Sequence, residues 1–173
     1  MTRVVAFLRG INVGGHIVKK ERLQGVFEAL GFRDVMTYKQ SGNVIFETEV
    51  KDMEKIRTRI EDKLKKTLGY DVAVFIRTMD YLKELAERNS RAVKEGDSFL
   101  VTMLPPCDFT LPLPITIPNS TAVIVSASGS EAFSLTHGGG EGALPNPILE
   151  SKLKVKATTR NMNIIREIVE KYR

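Results

Sequence analysis

The residues best able to do chemistry in this chain gather in three short polar segments: LRGINVGG at 8–15, YKQSGNV at 38–44 and ATTRN at 157–161. They contribute the guanidinium groups of Arg9 and Arg160, the side-chain amides of Asn12, Gln40, Asn43 and Asn161, the hydroxyls of Ser41 and Thr159, and flexible backbone at Gly14, Gly15 and Gly42. Hydrogen-bond donors dominate the set. Arginine grips a carboxylate or phosphate through two parallel hydrogen bonds, and glycine-rich backbone can turn its N–H groups outward toward an anion. The chemistry that follows is recognition of negative charge, carried by a phosphorylated small molecule or by a nucleic-acid backbone.

Other chemistries find less support. The spacing from Gly10 to Gly15 is that of a P-loop, but His16 and Ile17 stand where its lysine and its magnesium-binding hydroxyl belong, and no Gly-x-Gly-x-x-Gly is present. Cys107 is the single cysteine, and His16 and His137 are far apart, each beside glycines. Neither a Cys–His nucleophile nor a metal-ligand spacing emerges. No cofactor and no metal are expected.

The elements that must position these groups are legible from periodicity. Residues 3–9 contain a continuous apolar run suited to a central strand. The glycine loop at 10–16 follows, then a helix over about 19–30 that Gly31 stops. Strands at 35–39 and 44–47 flank a Gln-Ser-Gly-Asn turn. Met53, Ile56, Ile60 and Leu64 mark a second helix, closed by Gly69, and 72–76 reads as a strand. The order is β-α-β-β-α-β, the ferredoxin-like split βαβ, over residues 1–77. In that topology strands one and three are antiparallel neighbours, which places Arg9 and the glycine loop beside Gln40, Ser41 and Asn43.

Residues 78–173 read as a second, smaller α+β half packed against the first. Its expected elements are a helix at 79–89, a strand at 98–104, a proline-rich connector at 105–118, a hairpin of 121–126 with 132–136, a helix at 147–153 and a last helix through Tyr172. Element order allows a topology related to the first half, but no repeated motif is evident. ATTRN is read as the lead-in to the last helix, with a threonine as N-cap. An arginine at a helix N-terminus is electrostatically misplaced by a few tenths of a kcal/mol, so Arg160 should pair with an acid or await an anion.

Charge is unevenly divided. The first 77 residues carry 15 basic and 10 acidic groups, the remainder 11 of each, so the net charge of +5 belongs to the first half. Much of it lies on the second helix, where interleaved acids suggest a solvated face. A stacking RNA-recognition sheet is not expected, because Phe7 and Phe46 are the only aromatics on the central strands and packing accounts for both. At 173 residues and 42% hydrophobic content the chain can bury a core without staples. No stretch approaches a membrane span, no membrane partner is expected, and one cysteine fits a reducing cytoplasm. Composition is silent on oligomeric state.

Taken together, LRGINVGG, QSGNV and ATTRN closely resemble the signatures of a bacterial family known as domain of unknown function 1697, over nearly the whole chain. The chain departs from the family pattern at Met162, where an aromatic is usual, and ahead of the penultimate helix. The resemblance implies a cytosolic α+β protein built from ferredoxin-like units, and points to Arg9, Asn12, Gly14, Gly15, Gln40, Ser41, Gly42, Asn43, Thr159, Arg160 and Asn161 as the candidate site. Three readings follow. The leading one is a binding module in which the 9–15 loop, the 40–43 hairpin and Arg160 converge on an anionic ligand. The second is an enzyme using the same pocket, with Ser41 or a threonine hydroxyl participating and no metal. In the third, the polar motifs serve structure or protein interaction by locking the two halves.

Overall fold

A computed structural model of the protein describes residues 1–40, 42–90, 93–138 and 143–173. The chain divides into two compact units, Met1–Glu84 with Lys171–Arg173, and Leu85–Glu170.

The first unit is built around β1 (Thr2–Leu8), whose apolar run from Val4 to Leu8 is wholly buried. It pairs antiparallel with β3 (Asn43–Thr48) on one side and β4 (Val74–Thr78) on the other. With β2 (Arg33–Tyr38) at the edge, the order is β2-β3-β1-β4, the ferredoxin-like arrangement. Helices α1 (Lys20–Glu28) and α2 (Met53–Leu68) share a core with one face of this sheet. Helix α2 starts where the Asp52 carboxylate accepts the Lys55 N–H at 3.0 Å, and ends at Gly69 in the left-handed region. Its Ile56, Ile60 and Leu64 are fully buried, each stabilising the fold by about 1.5–3 kcal/mol. Strand β4 starts two residues later than its apolar run suggests. Val72 is buried in the connector, and the ladder opens at the Leu8–Val74 pair; hydrophobicity reports burial, whereas pairing sets the strand.

The second unit holds a five-stranded antiparallel sheet in the order β6-β7-β8-β5-β9. Its strands are β5 (Ser98–Met103), β6 (Ile115–Thr116), β7 (Val123–Ser128), β8 (Glu131–Thr136) and β9 (Thr158–Asn161). Helix α4 (Pro145–Leu153) shares a core with this sheet through Leu149, Ile124 and Ala132. Two expectations are corrected here. ATTRN does lead into the last helix, but as a strand: residues 158–161 pair with β5, because β-branched threonines suit an edge strand. The N-terminus of α5 (Met162–Tyr172) is served by Asn161 instead, whose Oδ1 accepts the Asn163 N–H at 2.9 Å.

Setting β6 aside, the second sheet runs β7-β8-β5-β9, which repeats the permutation of the first with every pair again antiparallel. The register repeats as well. Phe7 stands between Asn43 and Phe75, and Met103 between Glu131 and Thr158. The Leu8 N–H donates to the Gly42 carbonyl at 2.7 Å, and the Leu104 N–H to the Ser130 carbonyl at 2.7 Å. Val5 pairs with Arg77 and Val101 with Arg160, and each guanidinium donates to the carbonyl of the preceding residue, at 2.8 and 2.9 Å. A helix opening on methionine follows each arginine: α3 (Met79–Arg88) and α5. This alignment overturns the expectation of no repeated motif. Arg-Thr-Met-Asp-Tyr-Leu-Lys-Glu-Leu at 77–85 corresponds to Arg-Asn-Met-Asn-Ile-Ile-Arg-Glu-Ile at 160–168, a likeness spread over conservative exchanges that only the strand register brings into line.

Candidate anion-binding site

In the first unit the loop after β1 and the β2–β3 hairpin meet as topology requires. The sign of φ alternates along the loop: Gly10 at 72°, Asn12 at 58° and Gly14 at 61° are left-handed, whereas Ile11 and Val13 are not, and Gly15 at 84° prolongs the run. Asn12 tolerates that region better than other side chains do. Its side chain also ties the two segments together, Nδ2 donating to the Gln40 carbonyl at 2.6 Å while Oδ1 accepts the Val18 N–H at 2.7 Å. Gly10, Gly14 and Gly15 are exposed, as is Gln40, and Arg9 is half-buried with its N–H on the Ala73 carbonyl at 2.9 Å. Ser41 lies outside the described residues.

Gly42 and Asn43 are held by internal contacts. At Gly42, φ is +76°, and a Cβ would meet Ile11 Cγ2 at 2.8 Å and Leu8 Cβ at 3.0 Å. Asn43 is not a turn residue but the first of β3; its side chain is buried and donates to the Tyr38 carbonyl at 3.0 Å. The expected placement of the glycines at a helix start is also corrected. Residues 16–19 intervene before α1, and Lys19 provides no side-chain cap, so the helix dipole, effective within about one turn, does not act directly at Gly14.

The surroundings of the loop were not evident from sequence. The His16 ring lies 4.5 Å from that of Tyr70, centroid to centroid, and an Arg22 guanidinium N–H donates to the Thr67 carbonyl at 2.8 Å. These contacts put the first turn of α1 and the last turn of α2 beside the loop. Val13 and Ile17 are 58% and 82% exposed. The pairing of His16 with Tyr70 is tertiary, across 54 residues of sequence, and no local periodicity announces it.

In the second unit Arg160 is buried, and its Nη1 donates to Thr158 Oγ1 at 2.8 Å and to the Thr159 carbonyl at 2.9 Å. Burial pulls its pKa down to about 10, which leaves it charged at neutral pH. Thr159 Oγ1 lies 2.9 Å from Thr102 Oγ1 and donates to Asn146 Oδ1 at 3.2 Å. Asn161 is the helix cap described above. Elsewhere, burial and the neighbouring Asp108 raise the Cys107 pKa, which disfavours a thiolate. His137 Nδ1 lies 2.9 Å from Asp97 Oδ2. Among the described residues no group of three or more His, Cys, Asp or Glu side chains could hold a metal ion, and no helix is long and apolar enough to cross a membrane.

Fold and site together define a two-unit α+β protein whose first unit is ferredoxin-like, with a glycine loop against the hairpin of that sheet. The chain belongs to a family described as protein of unknown function, DUF1697, whose model matches residues 1–108. That match contains the first two polar motifs and ends before the third. Among solved structures, the conserved bacterial protein SP0830 from Streptococcus pneumoniae is similar, with a TM-score of 0.65 at 18% identity over 98% of this chain and 97% of that one. At that identity the likeness speaks to the fold, and it extends through both units. No curated protein matches the chain.

Proposed function

We propose that the protein is a binding module for an anionic ligand, a phosphorylated small molecule or a nucleic-acid backbone, seated on the 9–15 loop beside the 40–43 hairpin. The observation that carries this reading is the alternation of φ from Gly10 to Gly14. Successive residues of opposite hand turn their N–H groups toward a common side and form a concave anion-binding nest. Asn12, in the middle of that stretch, ties it to Gln40 and to Val18, which lowers the ordering cost of binding. Arg9 supplies the adjacent cation, and a cytosolic address belongs to the same reading.

A second reading, in which the motifs are structural, draws on the internal commitments of Asn12, Gly42 and Asn43. The two are separable by thermal shift against inorganic phosphate, pyrophosphate and nucleotides. A ligand at 100 times its Kd contributes about 2.7 kcal/mol, a shift of roughly 5–10 °C for a chain of this size. The wild type should respond, and Asn12→Ala, which frees the loop, should lose the response. If no anion shifts the wild type while Asn12→Ala and Arg160→Ala both melt earlier, the structural reading replaces this one.

A further inference from the structure

One end of the first unit carries more than a phosphate nest requires. Lys19 and Lys20 lead into α1, and Lys65 and Lys66 close α2. All four are exposed, although Lys65 pairs with Asp71 at 3.0 Å. The contact from Arg22 to Thr67 and the ring contact from His16 to Tyr70 bring these segments to the same end as the glycine loop. A single phosphate uses two or three donors. Cations on two helices around a backbone nest suit a ligand that repeats its charge.

The His16–Tyr70 pair decides what kind of polyanion fits. It is an aromatic contact at a polar end, removed from the Phe27–Phe32–Phe46 group of the core, and His16 is exposed. Tyr70 backs the His16 ring and limits its rotation. A cationic track with an aromatic surface and nearby aliphatic side chains, here Val13 and Ile17, is how proteins hold single strands, the phosphates on the charges and a base on the ring. A lipid surface would use the lysines and the aliphatics but has no need of the ring pair. We infer that this end of the first unit binds single-stranded nucleic acid, with backbone phosphate at the glycine loop and the lysines and a base stacked on His16. The inference rests on the anion-binding reading of the same loop and adds the class of ligand. It differs from stacking on the sheet, where Phe7 and Phe46 are fully buried.

The test is fluorescence anisotropy of the full chain with labelled 12-nucleotide single-stranded RNA and DNA over a salt series. Phosphate, pyrophosphate and vesicles containing phosphatidylserine are run in parallel. The logarithm of affinity should fall linearly with that of salt. Lys19→Ala/Lys20→Ala should flatten the slope by about 1.4, since each lost phosphate contact on a single strand removes about 0.7. His16→Ala, at an exposed position that spares the fold, should weaken binding roughly 5- to 150-fold, the range of a lost base stack. Tyr70→Phe retains the ring and should retain affinity. Unchanged affinity in His16→Ala overturns the stacking assignment. Binding of phosphate or pyrophosphate without oligonucleotide binding overturns the nucleic-acid inference and leaves the anion reading standing. Preference for anionic vesicles over oligonucleotides overturns it in favour of a lipid surface, and binding to none of these probes overturns both readings.

Discussion

Replacing Gly42 by alanine should be among the most damaging single-methyl changes in the first unit. Two costs add. The left-handed φ of +76° penalises any L side chain by about 1–2 kcal/mol. The new Cβ would also lie 2.8 Å from Ile11 Cγ2, 3.0 Å from Leu8 Cβ and 3.1 Å from the Leu8 carbonyl oxygen. Two of those neighbours belong to the central strand and cannot swing away, so overpacking adds about 1–3 kcal/mol. The sum is about 2–5 kcal/mol. Gly14 is the internal control: its φ is +61°, but a Cβ there meets nothing within 4 Å among the described residues, so only the backbone cost of about 1–2 kcal/mol applies. Urea unfolding of both variants measures the difference. With a slope of about 1–3 kcal/mol per molar, a 3 kcal/mol loss lowers the midpoint by roughly 1–3 M. Ile11→Ala should partly rescue Gly42→Ala, because it removes the nearest atom, and the double variant should be less than additive. If Gly42→Ala is no worse than Gly14→Ala, the close approach of hairpin and strand is wrong, and so is the register of the site.

Two further outcomes test other parts of the structure. Among the described residues Tyr70 Oη and Ser134 Oγ are buried without a hydrogen-bond partner, so Tyr70→Phe and Ser134→Ala should leave stability unchanged or raise it by up to about 1 kcal/mol; a loss of that size in thermal melts would mean that each hydroxyl is satisfied. The hydrogen bond from Arg57 holds the Glu54 carboxyl below its ordinary value of 4.5, and the pair is largely exposed, worth a few tenths of a kcal/mol. A lowered carboxyl pKa stabilises the fold above the unfolded value and loses that contribution as pH falls through the folded one. The wild type should therefore exceed Glu54→Gln slightly at neutral pH, with the gap closing below pH 4.5.

The first unit was largely legible because its signals are local. The β1 apolar run, the Ile56–Ile60–Leu64 stripe and the stops at Gly31 and Gly69 each announce an element within a few residues, and the βαββαβ order then brings loop and hairpin together. The second unit resisted where local signals conflict with pairing. A threonine at 158–159 reads as a cap but serves an edge strand, because β5 offers a free edge that no local pattern reveals, and the cap falls to Asn161. The roles of Asn12 and Asn43 lie in the same blind spot. Their residue types suggest ligand contact, and their amides also bond carbonyls, Asn12 that of Gln40 across 28 residues and Asn43 that of Tyr38 within its own hairpin. The His16–Tyr70 contact has no sequence signature at all.

The two units share strand order and register, and they differ where the first strand ends. One continues from Leu8 into Arg9 and Gly10, the other from Leu104 into Pro105 and Pro106. Proline has no N–H. At positions 105 and 106 the second unit therefore lacks the N–H groups of Arg9, which bonds the Ala73 carbonyl, and of Gly10, and it has an extended segment ending in a two-residue edge strand where the first unit has a crossover helix. The strand order is doubled, but the glycine loop is not. On the anion-binding reading proposed above, each chain should titrate with one equivalent of anion at this loop, not two.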